Sequence, residues 1–231
     1  MEGTEVRKLA ALEDAHWWYR ERRHLLSRMV AGVTPGTALD IGAAGGGNTR
    51  VLQAAGWSVA ALEYGADGAE VAAERGLSVL RADATALPVA DDSLDLVVAF
   101  DVLEHILDDD AAVAEVARAL RPGGRFLVAV PADPRLWSDH DVAVDHVRRY
   151  TRTTLREVLE RGGFEVASMT SWNVLLRPVV ALRRRTSSGS DLDTVHPVVN
   201  LGLRAIVTVE RWLPVKAMPG VTLLVEARPR A

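Results

Sequence analysis

The chain has 231 residues, 48% of them apolar and 25% charged, with a formal net charge of −4; that suffices to bury a full core as one domain over 1–231 and leaves two independent domains cramped. Balanced charge disfavours disorder and provides no field for holding polyanions, so nucleic acid is not an expected partner. Cysteine is absent, which excludes disulfides and thiolate chemistry and suits a reducing cytoplasm, while neither a signal peptide nor a run long enough to span a membrane is present.

In chain order, residues 5–32 come first, where Leu9, Leu12, Trp17, Leu25 and Leu26 predict a helical cap ahead of the sheet. Between 36 and 131, short apolar runs alternate with helical patterns, as in βαβ units around a parallel sheet. Strands are expected at 37–41, 58–63, 78–81, 94–100 and 125–130, without the polar alternation of a one-sided sheet. Helices are expected at 48–55, 66–75 and 109–120, the last stopped by Arg121-Pro122-Gly123-Gly124 before the fifth strand. A helix at 151–161 and strands at 164–169 and 221–227 complete the pattern. The span 173–219 lies outside the alternation and reads as a helical insertion, with helices near 174–182 and 198–213 around the polar stretch 183–193.

Asp40-Ile41-Gly42-Ala43-Ala44-Gly45-Gly46-Gly47 closes the first strand and opens a helix. Glycines let such a loop turn sharply and approach a ligand beside helix N–H groups. Alone the loop is weak evidence, since dinucleotide-binding oxidoreductases use similar ones. Specificity comes from residues further along the chain. Glu63, at the end of the second strand, can accept two hydrogen bonds from vicinal ribose hydroxyls. Asp83 ends the third strand, placed for an exocyclic adenine amine, with the Ala84 backbone beside the ring. Next come Phe100-Asp101-Val102-Leu103-Glu104-His105 and the 120–124 turn.

With these landmarks in order, residues 36–131 resemble the small-molecule methyltransferases often called type 11, within the class I S-adenosylmethionine-dependent enzymes. The resemblance implies a Rossmann-like α/β sheet of seven strands, mostly parallel with the last antiparallel, and helices on both faces. It implies S-adenosylmethionine as cofactor and S-adenosylhomocysteine as product. By resemblance Asp40, Gly42 and Gly46 hold the methionine part, Glu63 the ribose, and Asp83 with Ala84 the adenine; Phe100 and Asp101 join this site. Ala44 departs from the family's middle glycine, and its methyl is tolerable provided φ stays negative. Segments 16–23 and 145–151 resemble those of a narrower subgroup. Trp18 and Arg22 share a helix face, so an aromatic wall and a guanidinium can cover the cofactor and pair with its carboxylate, or the tryptophan can simply pack.

Methyl transfer is an in-line displacement, so the protein aligns the acceptor and removes its proton where needed. His146 and His105, beyond the carboxyl ends of the strands, are the candidate catalytic bases, with His146 beside Asp145 and His140 beside Asp141 as imidazole–carboxylate pairs. No metal is expected, although Asp101, Glu104 and His105 resemble the acid-x-x-Glu-His arrangement of metal-dependent ubiquinone-pathway O-methyltransferases. The cluster Arg148-Arg149-Tyr150 binds an acidic substrate group or joins helix to sheet. The insertion, with Arg183-Arg184-Arg185, is a packing layer, a lid over a greasy substrate or a membrane-surface element. The expected function is methyl transfer to an oxygen or nitrogen of a small molecule. Two alternatives remain at this point: an NAD-dependent oxidoreductase using Gly42, Ala44 and Gly47, and a non-catalytic regulatory protein of the same fold.

Overall fold

A computed structural model describes residue 7 and residues 10–186 and 195–230. Leu9 of the expected cap, most of the polar stretch 183–193 and the side chain of Arg185 lie outside the described residues.

The strands are β1 (Thr37–Ile41), β2 (Ser58–Glu63), β3 (Val79–Arg81), β4 (Leu94–Phe100), β5 (Leu120–Pro131), β6 (Phe164–Trp172) and β7 (Thr222–Pro229). They form one sheet in the order β3-β2-β1-β4-β5-β7-β6. The first five pair in parallel, and β7 slots between β5 and β6, antiparallel to both. The helices are α1 (Trp17–Val30), α2 (Gly47–Ala54), α3 (Ala66–Glu74), α4 (Asp109–Ala119), α5 (Asp139–Ala143), α6 (Arg152–Arg161), α7 (Arg177–Thr186) and α8 (Pro197–Glu210).

The unbroken apolar strands are explained by two cores. Successive side chains of a strand point to opposite faces. Val97 and Ala99 of β4, with Phe126 and Val128 of β5, pack with α4 and α6 through Val113, Val116, Leu155 and Leu159. Leu96 and Val98, with Leu127 and Ala129, pack on the other face with Leu26 of α1 and Leu52 of α2. Both faces are dry, so no polar alternation survives in the sequence.

Several boundaries differ from the sequence reading. α4 stops at Ala119 and Leu120 is already paired with Leu94, so β5 starts before the Pro-Gly turn, with a register shift between Leu94 and Leu96. β6 continues three residues beyond 169, because Thr170, Ser171 and Trp172 pair with β7; the polar pair Thr170 and Ser171 interrupts the apolar run before Trp172. α7 begins at Arg177 rather than 174, and α8 at Pro197, where His196 accepts a hydrogen bond from the Val198 N–H at 3.4 Å as its cap. His16 caps α1 in the same way through the Trp18 N–H.

Candidate active site

A cavity of about 810 Å³ opens beyond the carboxyl ends of β1, β2 and β4, where open parallel sheets bind ligands. Its floor is the loop after β1. The N–H groups of Gly42 and Ala43 donate to the Leu62 carbonyl at 2.8 and 3.2 Å, pinning the loop to β2. Gly42 has φ +65, and a Cβ there would lie 2.6 Å from Val102 Cγ2. The Ala44 N–H donates to Glu63 Oε2 at 2.7 Å, and the Gly65 N–H to Oε1 at 3.2 Å. Glu63 is therefore braced by backbone on both sides at the place expected for the ribose. The condition set for Ala44 is not met: its φ is +46, a left-handed conformation that costs an L-residue roughly 1–2 kcal/mol.

The remaining cofactor candidates, Trp18, Asp83, Ala84, Phe100 and Asp101, line the same cavity, but Asp40 and Gly46 do not. Asp40 is buried beneath the loop, accepting from Thr49 Oγ1 at 2.6 Å, and burial pushes its pKa up to about 7. Its contact is with the first turn of α2, so it shapes the loop from behind. Gly46 caps α2 at φ +80, where a Cβ would collide with Leu77. Asp83 accepts at Oδ1 from the N–H and the hydroxyl of Thr85, both at 2.8 Å.

Arg22 also lines the cavity. Its guanidinium sits 4.8 Å from the Phe100 ring centre and 5.7 Å from those of Trp18 and Trp172, and pairs with Asp101. Arg22 thus pairs with an aspartate of the cavity wall, while its buried Nη1 has no hydrogen-bond partner. Trp172, which packs 4.5 Å from Trp18 between ring centres, was not singled out from sequence; it lies at the polar end of β6, far from any motif. Glu13 and Arg75 were missed too. Arg75 reaches the carbonyls of Gly45 and Ala10 and the Glu13 carboxylate, tying the N-terminal segment to the loop.

On the acceptor side, Asp101 (φ +59) leads into a 3₁₀ turn, Leu103–His105. His105 and His146 stand edge to face with ring centres 4.8 Å apart. His105 Nδ1 lies 3.2 Å from the Asp145 carbonyl, and surrounding protein followed by the His146 ring pull its pKa down. His146 Nδ1 lies 2.8 Å from Asp141 Oδ1, a partner five residues back along the chain. Val144 and Asp145 turn the chain back, the latter at φ +59, bringing residue 146 over 141. Asp141 is fully buried and also takes Arg149 Nε at 2.8 Å. Arg148 and Tyr150 both hold Asp109, so this cluster joins helix to sheet. Glu104 is fully buried, and both carboxylate oxygens lack a hydrogen-bond partner. Burial and the nearby Asp101 raise its pKa well above the usual carboxylate range.

Comparisons with known proteins agree with this geometry. Residues 15–169 match a family model described as a methyltransferase domain. A Mycolicibacterium smegmatis protein named “Probable S-adenosylmethionine-dependent methyltransferase” is 31% identical over 71% of this chain and 65% of its own length. A Mycobacterium tuberculosis protein of the same description is 28% identical over 72% of this chain and 62% of its own. The chain therefore spans less than two thirds of the length of these curated relatives. Among solved structures, the fold matches that of a methyltransferase in complex with the Haloferax volcanii Trm112 activator, with TM-score 0.68 and 24% identity over 99% of this chain and 95% of that one.

Proposed function

The chain belongs to the class I S-adenosylmethionine-dependent methyltransferase family, and from that premise we propose that it transfers a methyl group to an oxygen or nitrogen of a small-molecule acceptor in the cytoplasm. Family membership removes the oxidoreductase alternative. The observation that carries the reading is the convergence of Gly42, Glu63, Asp83 and Arg22 on one cavity whose far wall holds His105 and His146.

S-adenosylmethionine, when bound, supplies a methyl carbon made electrophilic by the sulfonium. Glu63 accepts from ribose hydroxyls and Asp83 from the adenine amine, beside Ala84. The Arg22 guanidinium, which lines the cavity and has an Nη1 without a hydrogen-bond partner, would pair with an acidic group such as the cofactor carboxylate. Gly42 leaves room for close approach, with Trp18, Phe100, Ala44 and Asp101 as walls. With Nδ1–H donated to Asp141, His146 Nε2 would serve as the base, taking the acceptor's proton as the acceptor's lone pair bonds the methyl carbon and the carbon–sulfur bond breaks to leave S-adenosylhomocysteine. His105 flanks it. Asp40 and Gly46 act through the shape of the loop. Calorimetry on Gly42→Val and Glu63→Ala tests the cofactor site: affinity for S-adenosylmethionine is expected to fall at least about tenfold, the equivalent of one good hydrogen bond lost. Unchanged affinity in both variants refutes the assignment. Labelled-methyl transfer into cell extracts separates catalysis from a regulatory role, with bound cofactor and no incorporation favouring the latter.

One observation favours a second reading of the acceptor side. Glu104, His105 and His146 each offer a ligand atom, all within 4.8 Å of one another, and Glu104 is otherwise unpartnered. A divalent cation held there would polarise an acceptor hydroxyl in place of a base. Calorimetric titration with Mn²⁺ distinguishes the two: binding abolished by Glu104→Gln supports the cation, and no binding leaves the base.

A further inference from the structure

α7 belongs to the insertion, outside the sheet's alternation, yet it is fastened to the acceptor wall at two points. Near its start, Arg177 pairs with Asp133. One helical stretch later, Arg184 donates through Nη1 to the Leu136 carbonyl at 2.9 Å and to Asp141 Oδ2 at 3.1 Å, with its side chain only 10% exposed. Asp141 divides its two oxygens by direction. Oδ1 serves the His146 ring and Arg149. Oδ2 serves the Ser138 N–H at 3.0 Å, closing the capping box of α5, and Arg184.

We propose that Arg184 is a positioning residue, which fixes the Asp141 carboxylate and through it the tautomer and orientation of His146, so that α7 completes the acceptor site when it docks. This rests on the reading of His146 as an acceptor-side group. The Ser138 N–H already holds Oδ2, and Arg184 adds a charge-assisted contact to the same oxygen that narrows the swing of the carboxylate about its own axis. Oδ1 then stays in line with Nδ1, and Nε2, 3.8 Å from the buried Glu104 Oε1, is left as the accepting nitrogen of the ring. A lysine ammonium could donate to the same two oxygens that Arg184 Nη1 reaches, but without the pre-organisation of a planar guanidinium it is expected to fix the carboxylate less well. Arg177 provides an internal control: it anchors the same helix and touches neither Asp141 nor His146.

The test reads the ring directly and needs no acceptor. The full chain, labelled with nitrogen-15 histidine, is observed by long-range proton–nitrogen NMR above the titration range of histidine, with His146→Gln assigning the signal. The parent is expected to show His146 as a single Nδ1–H tautomer. Arg184→Gln is expected to convert it to averaged, mixed-tautomer shifts, Arg184→Lys to fall between, and Arg177→Gln to keep the parent pattern. A single Nδ1–H tautomer persisting in both Arg184 variants overturns the proposal, as does an equal loss in Arg177→Gln, which reduces Arg184 to a general anchor. Should Arg184→Gln not fold, the Lys variant carries the comparison. The failure of the base reading is separate: His146→Gln retaining full methyl transfer sinks that reading and leaves the tautomer result standing.

Discussion

Ala44 sits where the backbone turns left-handed, at φ +46, with its N–H committed to Glu63. Glycine adopts that conformation freely, so Ala44→Gly is expected to raise stability by about 1 kcal/mol or less, net of the extra freedom of the unfolded chain, seen as a higher urea midpoint with an unchanged slope. Asp40 titrates in an unusual place. Its folded pKa of about 7 exceeds the ordinary 3.8 because of burial. Between those values the folded chain keeps a proton that the unfolded chain has released. The stabilisation is therefore complete below 3.8, declines as pH rises, and is gone above about 7, a difference of a few kcal/mol at most. Asp40→Asn is expected to flatten that decline, its urea midpoint falling less than the parent's between about pH 5 and pH 8. That Gly42, Glu63 and Asp83 line one cavity was legible in the sequence because each lies at or just beyond the end of a parallel strand. The contact of His146 with Asp141 was not legible, because the two meet only where the chain reverses after α5.

Elements whose ends carry local chemistry were the readable ones. Thr151 and Thr154 form a reciprocal cap at the start of α6, with the Thr154 N–H donating to Thr151 Oγ1 at 3.0 Å. Thr151→Ala is expected to cost about 1 kcal/mol, measured as a drop in the thermal midpoint without loss of cofactor binding. The ends of β5 and β6 were misplaced because strand pairing, and not apolarity, decides them: Leu120 and Trp172 are held by neighbours distant in sequence. The insertion is the least legible part. α8 packs inward through Val207 and Glu210 while Val198, Leu201 and Val209 remain exposed, as does Trp212 just beyond its end, so its apolar periodicity does not mark a buried face.

For the molecule as a whole, the cavity couples the loop after β1 to the N-terminal segment and to the acceptor wall, so ligand binding and global stability are linked. S-adenosylhomocysteine at about one hundred times its dissociation constant is expected to add roughly 2.7 kcal/mol, visible as a thermal shift, whereas NADH leaves the midpoint unchanged. Stabilisation by NADH alone contradicts the cofactor assignment. The sheet order has a further consequence, in time instead of space. β7 lies between β5 and β6 and pairs with both, yet a ribosome makes it after either of them. Until it emerges, two neighbouring strands each present an open edge with no partner, and the nascent chain must keep them apart from other chains without being able to join them to each other.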